Sequence, residues 1–304
     1  MLLKKILQFI LVSSFIFLHQ TVLAQGCSDA GFCTIGNFNA IHQQAGEQIL
    51  QKNEIDISFI YGTHGKSEKF YQPQINYRFI KKSGAFYELR LPFNIAKNTN
   101  TGISNSGIGD ATITYNSRIK KIDYSLGLRV SFTNADKSVK NSMGSLPMYL
   151  QSGLGTTDIL IVANYDIVKF IRVSTGVQLP VLQYNKNIAV FTDVIGVVTG
   201  TGYRRMPDAL LKLTGHYATG KIKVSGGVLS IFHLANDYYN TSHGKYVLQQ
   251  SKGTTINFNV ELGYALSNKI TFDLLFAEPI VTRKNIPDGL ARSRIFAPKI
   301  TYSF

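Results

Sequence analysis

Ile122-Asp-Tyr-Ser-Leu-Gly-Leu-Arg-Val-Ser-Phe132 is the stretch that decides how this chain folds. Every second residue is apolar (Ile122, Tyr124, Leu126, Leu128, Val130, Phe132), and between them stand Asp123, Ser125, Gly127, Arg129 and Ser131. A period of two belongs to a β-strand, whose side chains leave alternately on opposite faces; a helix needs a period of 3.6. One face of this strand suits hydrocarbon and the other suits water. The alternation returns in Tyr87, Leu89, Leu91 and Phe93 against Glu88, Arg90 and Pro92. It returns again in Ile256, Phe258, Val260, Leu262 and Tyr264 against Asn257, Asn259, Glu261 and Gly263.

From residue 54 onward the pattern predicts about twelve strands, near 54–63, 70–81, 84–95, 110–120, 121–133, 157–168, 169–181, 209–219, 220–234, 254–266, 268–278 and 293–304. Each has roughly 10 to 15 residues, longer than the 5 to 6 of soluble strands and long enough to cross a bilayer at a tilt. The connections alternate in length. Tight turns fall at Lys81-Lys82-Ser83-Gly84, Lys120-Lys121, Val168-Lys169, Thr219-Gly220-Lys221 and Ser267-Asn268-Lys269, and long polar segments such as 134–156, 182–208, 235–253 and 279–292 lie between them. Short turns on one side and long loops on the other are the pattern of an outer-membrane barrel, with the turns in the periplasm. Such a sheet must close, because an open edge in lipid leaves N–H and C=O groups unpaired at several kcal/mol each. The expected fold is therefore an all-β, transmembrane, antiparallel up-and-down barrel. Its strand count could range from about 10 to 14, since 188–199 is apolar enough to add a strand.

Composition agrees. Of 304 residues 44% are hydrophobic but only 16% charged, well under the roughly 25% of an ordinary soluble domain. Beyond residue 24 there is no run of about 20 apolar residues, which excludes a helical transporter. The chain has 19 Phe and 16 Tyr but no Trp, so Phe and Tyr must supply any interfacial girdles. Its net charge of +14 is spread along an exported chain, which points to anionic headgroups or solutes rather than to nucleic acid.

Export is read from residues 1–24: Lys4 and Lys5, an apolar stretch from Ile6 to Leu18, and Val22-Leu23-Ala24 before a cleavage point at Gln25. Residues 25–53 form an expected periplasmic or plug segment, with Cys27 and Cys33 as a candidate disulfide in an oxidising compartment. Residues 54–304 form the expected barrel. The end of the chain, Arg294-Ile-Phe-Ala-Pro-Lys-Ile-Thr-Tyr-Ser-Phe304, puts Phe296, Ile300, Tyr302 and Phe304 on one face. This ending resembles the C-terminal signal of bacterial outer-membrane proteins, which implies that Tyr302 and Phe304 are read by the barrel-insertion machinery.

A repeat displaced by 46 residues links Ser106-Gly-Ile-Gly-Asp-Ala-Thr-Ile-Thr-Tyr-Asn-Ser to Ser152-Gly-Leu-Gly-Thr-Thr-Asp-Ile-Leu-Ile-Val-Ala, with Leu126-Gly-Leu-Arg-Val and Thr175-Gly-Val-Gln-Leu-Pro180 following. The repeated unit is a hairpin, the piece from which barrels are built. Over residues 84–181 these motifs resemble the outer-membrane transporters named after the meta-pathway of phenol degradation, within the wider group of channels related to the long-chain fatty acid transporter. The resemblance implies uptake of small, apolar or aromatic solutes. Thr156 stands in the second copy where Asp110 stands in the first.

No residue pattern asks for a metal or cofactor: His42, His64, His216, His233 and His243 have no ligand spacing among them. Tyr238-Tyr-Asn-Thr-Ser-His-Gly244 holds a Ser beside a His, but adjacent side chains cannot easily face one another, so an exposed polar loop is expected rather than a catalytic one. Gly107-Ile-Gly109 and Gly153-Leu-Gly155 lack the third glycine and the helix of a phosphate loop. The informative positions are those that alternation turns inward: Arg78, Glu88, Arg90, Arg118, Arg129, Arg172, Lys212, Lys223, Glu261 and Asp273, with Asp56, Asp123, Asp166 and Lys299. They are the candidate pore lining, paired and mildly favouring anions.

The reading is a monomeric channel, not an enzyme, in which small solutes, apolar, aromatic or weakly anionic, diffuse passively across the outer membrane. Its partners would be outer-membrane lipid, the insertion machinery and the solute, with no nucleic acid. The alternatives are a non-conducting structural or surface-interaction barrel, whose loop 182–208 with Arg204 and Arg205 would meet a partner, and an outer-membrane enzyme.

Overall fold

The computed structural model describes residues 53–64, 67–139, 143–193, 196–288 and 294–304. The leader, Cys27, Cys33 and the proposed plug up to residue 52 lie outside the described residues. In chain order the strands are β1 (Glu54–His64), β2 (Glu68–Ile80), β3 (Phe86–Asn98), β4 (Ser104–Ile108), β5 (Ala111–Ile119), β6 (Ile122–Val130), β7 (Thr156–Val168), β8 (Ile171–Gln183), β9 (Ile188–Asp193), β10 (Gly196–Arg204), β11 (Asp208–Thr219), β12 (Ile222–His233), β13 (Tyr238–Thr241), β14 (Gly244–Val247), β15 (Gly253–Ala265), β16 (Ile270–Val281) and β17 (Ile295–Ser303). Twelve of them make the wall, running β1-β2-β3-β5-β6-β7-β8-β11-β12-β15-β16-β17, all pairs antiparallel. The ring closes between β1 and β17, where Glu54 faces Ser303 and Gly62 faces Ile295. Closure leaves the wall without an edge, as a sheet in hydrocarbon requires.

The alternation sorts the side chains as expected. On β1, Ile55, Ile57 and Phe59 point outward and are exposed, while Glu54, Asp56 and Ser58 are buried inside. Leu211 and Leu213 on β11, Phe258 and Leu262 on β15, and Phe296 and Ile300 on β17 continue the outer belt. Contiguous apolar surface on this scale marks a membrane face. At the short-turn end the belt finishes in aromatics: Tyr87, Tyr115 and Tyr124 follow one another with ring centroids 5.2 and 6.1 Å apart, and the Lys81 ammonium lies 4.7 Å over the Tyr87 ring. An aromatic girdle with lysines beside it suits the level of phosphate headgroups. Tyr302 and Phe304 extend it, stacked at 6.0 Å on the outer face.

The twelve wall strands fall where the sequence puts them. The apolar segment 188–199 does not add to them: β9 and β10 form a hairpin within a separate sheet of order β14-β13-β10-β9 at the long-loop end. With only 6 residues, β9 is too short to span hydrocarbon. The alternation of connection lengths also has an exception, since β1 and β2 join through residues 65–67 alone at the long-loop end. Between β4 and β5 the wall bulges. Phe93 faces Ile108 and Arg90 faces Thr112, so residues 109–111 oppose only 91 and 92, and the Gly109 N–H donates to the Pro92 carbonyl at 2.8 Å.

The long loops pack on one another. Ala135, Met148, Leu154, Tyr203, Tyr239 and Leu248, from three connections, form a buried apolar cluster. Asn187 ties it together: its amide donates to the carbonyls of Ala135 (2.9 Å) and Leu146 (3.0 Å) and accepts from the Tyr239 hydroxyl at 2.8 Å.

Candidate functional site: the barrel interior

The interior is built in layers, which follow from which residue types occupy the inward positions of each strand. Nearest the short turns is a charged layer. Arg78 on β2 bridges Glu54 on β1 and Glu88 on β3, the latter at 2.9 Å, and Arg90 pairs with the same Glu88. Asn76 donates to Asp56 at 2.5 Å. Around the wall, Arg172 on β8 reaches Asp166 at 2.6 Å and Asp123 at 3.1 Å, and Arg118 also holds Asp123. Lys299 on β17 pairs with Asp273 on β16 at 3.0 Å. Arg78 with Glu54 and Glu88, Asn76 with Asp56, Arg118 with Asp123, Arg172 with Asp166 and Lys299 with Asp273 are cross-strand partners in the register, so these pairs brace the wall while compensating buried charge.

Of the sequence-derived lining, Arg78, Glu88, Arg90, Arg129, Arg172, Lys212, Glu261 and Asp273 are buried inside. Lys223 is half-buried, and Arg118 is only part-buried at the turn end, its side chain 44% exposed. Arg129 stands apart from the others, in a second charged layer at the long-loop end.

That second layer was not legible beforehand. Arg205, which the sequence offered as a loop residue for a partner, is completely buried and cannot reach one. Its guanidinium pairs with Asp208 and lies 3.4 Å from Asp288 and 3.7 Å from Asp158. Asp158 also accepts from Arg129 on β6 and from the Gln178 amide on β8. Asp288 is shared with Arg283 at 3.0 Å. Burial alone would raise the Asp288 carboxyl, but the Arg283 and Arg205 guanidiniums override it and hold that carboxyl well below the usual carboxylate range. Burial would lower Arg283, yet the carboxylates led by Asp288 push it above the ordinary arginine value.

His233 ends β12 with Nδ1 2.6 Å from Asp208 and Nε2 2.8 Å from Asp237. A ring with a carboxylate at each nitrogen donates from both and is held as the imidazolium. Asp237 further accepts from the Tyr203 hydroxyl at 2.8 Å and the Met206 N–H at 2.8 Å. Burial, and then the Asp237 charge, raise the Tyr203 and Tyr239 hydroxyls, so both stay neutral. Nothing in the local sequence signals this network, because its members come from β6, β7, β8, β11, β12 and three loop connections and meet only when the barrel closes.

Between the two charged layers lies an apolar one. Leu160 and Val162 on β7, Leu210 on β11, Leu229 and Ile231 on β12, Ala277 on β16, Ile295 and Ala297 on β17, and Ile60 on β1 are inward, buried and in mutual contact. The opposite arc, β2, β3, β5 and β6, is polar at its inward positions: Gln72, Gln74, Arg90, Thr112, Thr114, Ser125 and Arg129. The interior is uneven: the apolar cluster lies on one side, interrupted by the inward Ser174 and Gln178 of β8 and Thr255, Asn257 and Asn259 of β15, and the other side is polar. The sequence reading expected charge inside and missed the apolar half, since an inward Leu between outward Ile and Val looks like a continuous apolar run.

The repeat has a structural reason. The Asp110 carboxylate of the first copy accepts from the Leu154 N–H of the second at 3.2 Å. A Cβ on Gly153 would collide with Asp110 and Ser131, and one on Gly107 with Ser152. The two Gly-rich segments therefore lie against each other at the long-loop end. Ser242 and His243 sit exposed at the tip of the β13–β14 hairpin.

No protein-family model matches the chain, and no curated protein is similar to it in sequence. Solved structures are similar in fold. The COG4313 outer membrane channel from Pseudomonas putida F1 superposes with a TM-score of 0.60 over 85% of this chain and 97% of that one, at 12% identity. The NanC porin gives 0.42 at 10% identity, over 83% and 98% of the two chains, and the P. putida toluene transporter TodX gives 0.39 at 10%, over 83% and 89%. A closed twelve-stranded antiparallel barrel, belted with hydrocarbon-compatible side chains outside and charged within, defines the class: this is an outer-membrane β-barrel. The fold shared with the P. putida channel is that of such a barrel, and the belt places the chain in a bilayer.

Proposed function

We propose that the protein is an outer-membrane channel through which small solutes with an apolar body diffuse passively, of the kind the meta-pathway transporters represent. The observation that carries this reading is the uneven interior. A barrel whose interior only braced the wall would be served by pairs and polar filler all round; the side chains from Leu160 to Ile60 pack against one another instead, and a solute passing as they part meets an apolar lining. The polar arc opposite, with Gln72, Gln74 and Thr112, accommodates a hydroxyl, carbonyl or carboxylate on the same molecule.

The test is single-channel recording of the purified full chain in planar bilayers, with benzyl alcohol added as a small amphipathic solute. Unitary steps that the alcohol reduces reversibly support the reading. A barrel with no unitary steps and no solute flux in liposomes defeats it.

The packed loops favour a second reading. The Ala135–Leu248 cluster and the Arg205 network hold the long-loop end together, as a non-conducting surface protein would need. That reading predicts no conductance in the same recording.

A further inference from the structure

Lys69 on β2 faces Lys97 on β3 directly across the strand pair, and both side chains are exposed. Alternation puts them on the outer, lipid-facing surface: Lys69 shares its face with Tyr71 and Ile75, and Lys97 shares its face with Phe93 and Ile95. Directly opposite residues have Cβ atoms about 5 Å apart, and like charges set this way repel. Neither lysine forms an ion pair among the described residues, and the outward positions of β1, β2, β3 and β4 carry no Asp or Glu. The neighbouring Glu68 belongs to the inner face, where it accepts from the Asn98 amide at 3.0 Å.

The rows beneath this pair grade from polar to apolar. In the register, Thr63 on β1, Lys69, Lys97 and Ser104 on β4 form one row at the long-loop end. One step toward the membrane centre stand Tyr61, Tyr71 and Ile95, with the two tyrosine rings 5.4 Å apart. The next step is Phe59, Phe93 and Ile108, all exposed. Cations, then aromatic rings, then hydrocarbon follow the order of headgroup, interface and acyl chain in a lipid. The patch is confined to this arc. Strands β6, β8, β12 and β16 also run up to the long-loop end, and they finish outward in the apolar Leu128, Val181, Phe232 and Ile280. Arg294, just ahead of β17, is taken up by Glu278 at 2.8 Å.

We propose that Lys69 and Lys97 hold the phosphate of a phosphorylated lipid in the outer leaflet, whose acyl chain lies on Phe59, Phe93 and Ile108. The long loops mark this end of the barrel as the outer one. A phosphate between the two ammoniums replaces their repulsion with two charge-assisted contacts. Free phosphate would meet the same cations but leave the tyrosine and phenylalanine rows idle, which is why the occupant is a lipid. The inference goes beyond the channel reading and holds for a conducting or a sealed barrel alike.

Native mass spectrometry of the detergent-purified full chain tests the site, with three probes: diphosphorylated lipid A, the same glycolipid stripped of phosphate, and inorganic phosphate. The phosphorylated lipid is expected to bind in preference to the other two. Lys69→Gln and Lys97→Gln should each weaken it about fivefold, the value of one cation beside an anionic headgroup, and the double variant about thirtyfold. Lys97→Arg should keep the affinity. Lys121→Gln, in a turn at the opposite rim, is the control and should leave binding unchanged. Thermal melts add a change of sign: relative to the unsubstituted barrel, Lys97→Gln should melt higher without lipid, where only repulsion is lost, and lower with lipid at saturation. Heat-modifiable migration on gels verifies that each variant is folded. An equal loss of binding in Lys121→Gln, or binding indifferent to both lysine substitutions, overturns the site. Inorganic phosphate bound as tightly as the lipid overturns the lipid as its occupant. Phosphate-dependent lipid binding that needs both lysines upholds the proposal, whatever the conductance.

Discussion

Arg205 Nε stands 3.4 Å from Asp288 Oδ2, and neither side chain has any exposure to solvent. One residue follows the β9–β10 hairpin and the other lies in the connection from β16 to β17, so this contact fastens loops that are 83 residues apart. With Asp158 and Asp208 on the same guanidinium, Arg205 is the hub of the long-loop end.

Replacing that hub should loosen the loops more than the wall. Arg205→Met leaves Asp158, Asp208 and Asp288 short of their shared cation, a change worth about 3–5 kcal/mol when a buried pair is broken. The barrel should still form, shown by heat-modifiable migration, while protease nicks the long loops and unitary conductance rises. Loops that stay protease-resistant in this variant would contradict the hub.

Acid should act through Asp288. Its folded carboxyl is held below the ordinary value by Arg283 and Arg205 against the raising effect of burial, so its contribution is present above the unfolded carboxylate pKa of about 3.9 and is lost as pH falls through the lower folded value. Thermal melts should therefore show no loss from this group between pH 7 and pH 5, by order of magnitude of that reference value, and a loss only in strong acid. Asp288→Asn should lower stability at neutral pH and flatten the strong-acid limb.

The outer belt makes a depth-dependent prediction. Leu213, near the middle of β11, is 53% exposed on the outer face. Leu213→Arg should cost about 2–4 kcal/mol in reversible folding into phospholipid vesicles, the value for a cation near the bilayer midplane. A cost near zero would mean that this face does not meet lipid.

Opening the apolar arc should change permeation in a particular sense. Leu229→Ala removes a buried side chain that points inward opposite Lys212. Conductance for small ions should rise, while reduction of the current by benzyl alcohol weakens, because the solute loses a contact surface.

The chain end offers a separate test. Phe304 stacks on Tyr302 outside the barrel and its N–H donates to the Asn53 carbonyl at 2.9 Å. Deleting Phe304 should reduce the heat-modifiable fraction assembled in cells far more than the fraction refolded from urea into detergent, if the terminal aromatic is read by insertion machinery rather than needed for the fold.

The wall was legible because its information is local. In 122–132 the two faces are spelled residue by residue, and the tight lysine turns fix where one strand ends and the next begins. Segment 188–199 misled in one respect: its apolar residues serve a small sheet above the wall rather than another span, and hydropathy cannot tell a loop core from a lipid face. Arg205 shows the same limit from the other side. Beside Arg204 in a long connection it reads as surface, and only the surrounding carboxylates from β7, β11 and the last loop draw it inside.

The sequence by itself determined the class of this protein, because a period of two repeated through twelve spans admits one solution in lipid: a closed barrel with every backbone group paired. The tertiary structure decided what the barrel contains. Whether an inward residue meets a partner depends on the register between strands and on closure of β1 against β17, which no single segment encodes. Register and closure placed Asp166 and Asp123 against Arg172, and they gathered Leu160, Leu229 and Ile295 into one apolar cluster. Those placements, made by pairing across strands far apart in the chain, turned a generic charged lumen into a layered one, with an apolar cluster between two charged layers.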